Sequence, residues 1–347
     1  MTMVFRTRRR PDTNIACCAR ADRRSKREPA IADARTAPIP ATSRRNLLMI
    51  PHGGLVAFPI TPADVDGRVD TGALRSLVLP LREAEVDAIG LLGSTGSYAY
   101  LTRAERRRAV EAAADEAAAV PLVVGVGALR TDEAIDLAQD AKALGAAAGL
   151  LAAVSYTPLG DDEVFEHITS IARGSGLPII LYDNPSTTHF RFTPPLVARL
   201  AKEEGVIGIK SDAAAPAATA AHLATLRAVV PARFSLGYSS DWFATEALIL
   251  GADAWYSVLG GLFPNACKRI VDAVREGDAD TARKFDASLA PIWALFKTFG
   301  SLRVTYAIAE LLGRNQTALP KPVQGLGSGD KELVREALAR VPHDMTR

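Results

Sequence analysis

The sequence predicts an α/β protein, a (β/α)8 TIM barrel with a C-terminal helical extension. From Gly53 onward, short apolar, β-branched or aromatic runs alternate with alanine-rich helical stretches, the signature of repeated βα units around a parallel sheet. The runs number eight and fill about 225 residues, the size of an eight-stranded barrel, whereas a doubly wound sheet more often carries about five to seven strands. Beyond Asp278 only helical patterning remains.

The eight strands are expected at residues 55–58, 88–92, 122–126, 149–154, 179–182, 206–210, 234–236 and 255–258. Between the first two, Leu74, Leu77, Val78 and Leu81 recur at helical spacing and define one apolar face. Thr102 and Glu105 have capping-box spacing. Thr193 followed by Pro194 reads as a cap with proline in the first helical position, and Pro264 is placed to open the helix after the eighth strand. In the extension, Phe285, Leu289, Ile292, Trp293 and Phe296 form a stripe, and a last helix is expected over 331–340. The division expected is therefore a disordered basic segment over 1–45, a barrel over 46–278 and the helical extension over 279–347.

Charge separates the first of these parts from the rest. The chain of 347 residues has a formal charge of +2, but residues 1–45 hold 12 Arg or Lys against 4 Asp or Glu, leaving the remainder at 29 against 35. The basic segment is too poor in large apolar side chains to offset chain entropy. It lacks the apolar stretch of a secretory signal and the interleaved aromatics of single-strand nucleic-acid binders, so no nucleic-acid partner is expected. No apolar run reaches the roughly 20 residues of a membrane helix. Three cysteines, two adjacent at Cys17 and Cys18, suit neither a disulfide framework nor a metal site and point to a reducing, cytoplasmic setting. None of the five histidines has a metal-ligand partner at a recognisable spacing, so neither metal nor cofactor is expected.

In an eight-stranded barrel, chemistry gathers at the C-terminal ends of the strands. The candidates there are Gly93-Ser94-Thr95-Gly96, Ser155 and Tyr156, Tyr182-Asp183-Asn184-Pro185, Lys210, Gly237 with Tyr238, and Tyr256 with Ser257. Lys210 is the most informative. Arginine outnumbers lysine 32 to 9, and Lys210 alone among the lysines ends a predicted strand. Behind Val206, Ile207 and Ile209 its amine would be shielded from water, the setting in which a lysine condenses with a ketone or keto acid. A lysine that caps the barrel rim or pairs with Asp212 fits that position equally well. Gly93-Ser94-Thr95-Gly96 offers hydroxyls and backbone N–H groups able to hold a carboxylate, although such a run is more often a plain loop. Tyr182 and Tyr156 are possible proton carriers, against the commoner role of strand-end tyrosines in packing.

Together these motifs resemble the dihydrodipicolinate synthase and N-acetylneuraminate lyase family. The resemblance rests on Gly93-Ser94-Thr95-Gly96, Tyr182-Asp183-Asn184-Pro185 and Val206-Ile207-Gly208-Ile209-Lys210, in this order, within residues 53–325. It implies a Schiff-base lyase or aldolase acting on pyruvate or a related 2-keto acid and an aldehyde, without cofactor, as a tetramer of tight dimers. By position it makes Lys210 the Schiff-base lysine and Tyr182 the proton-shuttling phenol. Ser94 and Thr95 match the hydroxyl pair that binds the keto-acid carboxylate and joins the relay. Tyr156 resembles the tyrosine that completes the relay across a subunit interface, and Gly237 and Tyr256 fall where the family lines the keto-acid pocket.

Several positions depart from that pattern. Thr187 stands where the synthase carries an arginine at the pocket mouth, so bidentate recognition of a second carboxylate is missing there. Ser97 replaces a glutamate, and Ser211-Asp212 follows the lysine in place of the usual residues. These departures favour a catabolic or secondary-metabolic aldolase or dehydratase. The alternatives are an authentic 4-hydroxy-tetrahydrodipicolinate synthase of lysine biosynthesis, with Arg191 as a substitute donor, and an inactive keto-acid-binding barrel.

Overall fold

The structure, a computed structural model, describes residues 53–346; the segment expected to be disordered lies outside the described residues. Eight parallel strands close into a barrel in sequence order: β1 (Gly54–Ala57), β2 (Ala88–Leu91), β3 (Leu122–Gly125), β4 (Ala148–Ala152), β5 (Ile179–Asp183), β6 (Val206–Asp212), β7 (Ser235–Ser239) and β8 (Ala254–Ser257). β8 closes on β1 with Trp255 opposite Leu55 and Ser257 opposite Ala57. Each expected strand is present, with ends displaced by three residues or fewer. The largest displacement, three residues, is at β7, and both β6 and β7 run on through polar residues. Backbone pairing of Asp212 with Ser239 continues their ladder after the apolar pattern has stopped.

Alternation along the strands builds two cores. Side chains such as Val56, Val123, Leu150, Ile180 and Tyr256 fill the barrel interior. Their neighbours in sequence, Leu55, Val124, Leu151 and Trp255 among them, face the helices. The helix Thr71–Glu83 buries Leu74, Leu77, Val78 and Leu81, the face its spacing predicts. Thr102 does cap the helix Arg103–Ala117 by accepting from the Glu105 N–H at 3.3 Å, a contact worth about 1 kcal/mol. The reciprocal half of a capping box is absent, because Glu105 accepts from the Val69 N–H at 2.7 Å instead. Thr193 caps the helix Pro194–Leu200, and Pro264 opens the helix Pro264–Arg275.

In the extension, the predicted stripe is divided between two helices, Ala279–Ser288 and Ala290–Phe299. Pro291 sits in the first turn of the second, where its missing N–H costs no helical hydrogen bond. A third helix, Ser301–Leu311, precedes the last, Ser328–Arg340. The junction between the second and third reaches the mouth of the barrel, where Phe296, Gly300, Ser301 and Leu302 wall a cavity. Among the described residues no helix is long and apolar enough to cross a membrane.

Candidate active site

Lys210 lies in β6, its side chain directed into the barrel and 5% exposed. Three aromatic rings surround its Nζ: Tyr182 at 4.0 Å from the ring centroid, Phe58 at 4.6 Å and Tyr256 at 5.8 Å. Faces of this kind attract a cation and hold the chain of methylenes upright without donating a competing hydrogen bond. Register explains the grouping, since Tyr182 pairs with Lys210 across β5 and β6, and Lys210 pairs with Gly237 across β6 and β7. Gly237 has no room for a side chain: a Cβ there would stand 2.3 Å from Tyr256 Cε2. Gly237 and Tyr256 thus form the packed floor beside Lys210, and burial pushes the Tyr256 phenol well above its ordinary pKa.

Tyr182 connects this floor to the loop after β2. Its hydroxyl oxygen lies 3.2 Å from Ser94 Oγ and accepts from Asn184 Nδ2 at 2.9 Å, while Ser186 Oγ donates to Asn184 Oδ1 at 2.7 Å. Burial pushes the Tyr182 pKa up, but the adjacent Lys210 charge and the hydrogen bonds to its oxygen outweigh that effect and hold it below the usual phenol value. Thr95 is buried next to Ser94 on the same wall. Phe58 fixes that wall from beneath, because a Cβ at Gly90 would meet its ring at 2.3 Å.

Above the lysine opens a cavity of about 680 Å³, within the range of small-molecule sites. Ser94, Thr95, Tyr182, Thr187 and Lys210 all line it. So do Asp212, weighed in the sequence only as a partner for Lys210, and four residues that the strand-end search passed over: Tyr98, Ser239, Ser240 and Trp242. Tyr98 sits in a short turn, Tyr98–Tyr100, which no periodic pattern announces. Burial, aided by proximity to Tyr182, raises its pKa to about 12. The buried Arg106 guanidinium lies 5.0 Å from its ring centre and donates to the Gly127 carbonyl at 2.9 Å.

Tyr156 lies apart from this assembly. It is 97% exposed on the single chain and borders a separate cavity of about 220 Å³ with Leu159, His189 and Phe190. Arg191, the expected substitute donor, is also outside the main cavity lining and acts electrostatically on Asp183 and His222. Lys210 is the one cationic side chain among the described residues of that lining. Among the described residues no group of His, Cys, Asp or Glu could hold a metal ion.

Known proteins share this architecture and sequence. A model of the dihydrodipicolinate synthetase family matches residues 51–340. A 4-hydroxy-tetrahydrodipicolinate synthase from Methylococcus capsulatus is 32% identical over 289 residues, covering 83% of this chain and 97% of the relative. Among solved structures, a dihydrodipicolinate synthase from Agrobacterium tumefaciens is 47% identical with a TM-score of 0.82, over 84% of this chain and 99% of that one. The chloride-inhibited dihydrodipicolinate synthase from Acinetobacter baumannii, solved with pyruvate, is 27% identical with a TM-score of 0.77, over 83% and 98% of the two chains. These names favour the biosynthetic alternative over the catabolic one that the departures at Thr187, Ser97 and Asp212 suggest. The chain belongs to the dihydrodipicolinate synthetase family and is a lyase of the class I aldolase kind.

Proposed function

We propose that this enzyme joins pyruvate, or a related 2-keto acid, to an aldehyde, or reverses that reaction, through an imine on Lys210. The observation that carries the reading is a buried lysine amine within an aromatic cage, beside a phenol whose oxygen contacts Ser94, at the base of a cavity. The Lys210 amine adds to the keto carbon, forming the C–N bond. The former carbonyl oxygen takes up protons and leaves as water as the C=N bond forms. The protonated imine draws electrons from the adjacent carbon, which loses a proton to give an enamine. In the condensing direction the enamine carbon attacks the aldehyde carbon, the aldehyde oxygen takes a proton from Tyr182, and water then hydrolyses the imine to free Lys210. The proton released on enamine formation returns to Tyr182 through the Ser94 hydroxyl, which takes it up on one lone pair as it passes its own to the phenolate 3.2 Å away. Ser94 and Thr95, both in the cavity lining, hold the keto-acid carboxylate in this reading, and Thr187, also in the lining, meets the second substrate.

A second reading, 4-hydroxy-tetrahydrodipicolinate synthase, is favoured by the names of the relatives at 32% and 33% identity. It requires aspartate semialdehyde as the aldehyde. A tetramer of tight dimers acting in the cytoplasm, with Tyr156 crossing an interface, completes the proposal; the exposure of Tyr156 on the single chain supports that role. The test of the shared chemistry is mass spectrometry after incubation with pyruvate and borohydride. A reduced pyruvyl adduct on Lys210, absent from Lys210→Ala, is expected. An unmodified Lys210 refutes the mechanism.

A further inference from the structure

We propose that Asp212 determines which aldehyde the enzyme accepts, selecting uncharged, hydroxylated aldehydes and rejecting those of net negative charge. The proposal rests on the imine chemistry at Lys210 and concerns the other half of the same cavity. Side chains alternate along β6, so Lys210 and Asp212 face the same way, with Ser211 turned outward between them. Asp212 therefore stands one rung above the lysine, opposite Ser239 of β7, and lines the cavity.

The carboxylate of Asp212 makes no hydrogen bond or ion pair among the described residues, although it is only half exposed. The second carboxylate of the lining differs completely. Asp241 accepts from Trp255 Nε1 at 3.0 Å, from the Val258 and Leu259 N–H groups at 3.2 and 2.7 Å, and from Ser257 Oγ at 3.3 Å. Its oxygens are fully occupied in holding the turn after β8. Asp212 thus retains acceptor capacity directed at whatever fills the cavity, and its field reaches Asp183 and His222 at the barrel rim.

The remaining wall points to the same substrate class. Ser186, Thr187, Ser239, Ser240 and Ser301 bring hydroxyls to the cavity, and among the described residues no guanidinium joins them. Lys210, the single cation among the described residues of the lining, is committed to the keto acid. A second substrate bearing a carboxylate and no ammonium would face Asp212 with no compensating positive charge, a juxtaposition that discriminates by repulsion. A substrate bearing hydroxyls would donate to Asp212 in a charge-assisted hydrogen bond and exchange neutral ones with the serines and threonines.

The experiment compares kcat/KM for pyruvate consumption with two aldehydes, glyceraldehyde and succinic semialdehyde. The full-length enzyme is measured beside Asp212→Asn and Asp212→Ser, with borohydride trapping of pyruvate run on all three proteins. The wild type is expected to favour glyceraldehyde, and both variants to shrink that preference by about 10-fold or more while trapping pyruvate on Lys210 as before. A wild-type preference for succinic semialdehyde, no turnover of glyceraldehyde, or a preference unmoved in both variants overturns the role of Asp212 while trapping persists. Failure of trapping in the wild type removes the imine reading itself, and the proposal with it.

Discussion

Replacing Tyr182 with phenylalanine removes one oxygen from the site and leaves the ring whose centre lies 4.0 Å from Lys210 Nζ. The cage around the amine therefore persists, and the variant isolates the phenol's part in proton transfer. Two hydrogen bonds are lost, to Ser94 at 3.2 Å and from Asn184 at 2.9 Å. Both partners border the cavity, where water can replace the missing oxygen, so the stability loss should stay near 1 kcal/mol, the lower end for an unmade bond. Turnover should fall by about 10²- to 10⁴-fold, the range for a lost general acid–base, while imine trapping still occurs on prolonged incubation. The pH profile supplies a second criterion. The phenol of Tyr182 titrates below its ordinary value of 10.0 because the Lys210 charge and its hydrogen bonds prevail over burial. Activity that depends on the protonated phenol should decline on an alkaline limb below that value, and the variant should lose this limb. Steady-state kinetics from neutral to alkaline pH, with thermal melts as control, decide the matter. An unchanged kcat would reduce Tyr182 to a packing residue.

Gly237→Ala should disturb the floor: the added Cβ would stand 2.3 Å from Tyr256 Cε2 and 3.0 Å from the Ala254 carbonyl oxygen. A loss of about 1–3 kcal/mol is expected from this overpacking, with a fall in kcat as the Tyr256 ring shifts beside Lys210; a variant with wild-type melting temperature and turnover contradicts the packing argument. Asp183 provides a test in pH. Burial raises its carboxyl from 3.8 to about 6, against the opposing Phe192 N–H and Arg191 charge. The folded state then holds this proton where the unfolded state has lost it, so the stabilisation is full below about 4 and disappears as pH rises through about 6. Its size is about 3 kcal/mol. Melting curves from pH 4 to 7 should show Asp183→Asn losing less stability than wild type as the pH rises, and parallel curves count against the assignment.

Most of the architecture was legible because burial writes itself into periodicity. The face of Leu74, Leu77, Val78 and Leu81 is buried as spaced, and the alternation of strand and helix gives the barrel. Polar strand ends leave no such trace. Asp212 continues β6 through backbone hydrogen bonds alone, which carry no side-chain signal, so its place above Lys210 emerges only from the ladder. Tyr98 is invisible for a related reason, since a single turn after a loop has no period to detect. Lys210 could be found because a lone lysine at the end of an apolar run is a compositional anomaly. The contact of Asn184 with Tyr182 could not, because it depends on how the chain turns at Pro185.

Barrel closure also bears on how the enzyme comes into being on the ribosome. Gly54 of β1 pairs with Ala254 of β8, so the first strand to leave the exit tunnel must wait for the last before the cylinder can shut. Contacts so distant along the chain form late. Phe296, Gly300, Ser301 and Leu302, which complete the cavity wall, are translated later still. A nascent or truncated chain ending before them has Lys210 and the three rings of its cage but lacks that side of the cavity, so the wall is finished only when synthesis is almost over.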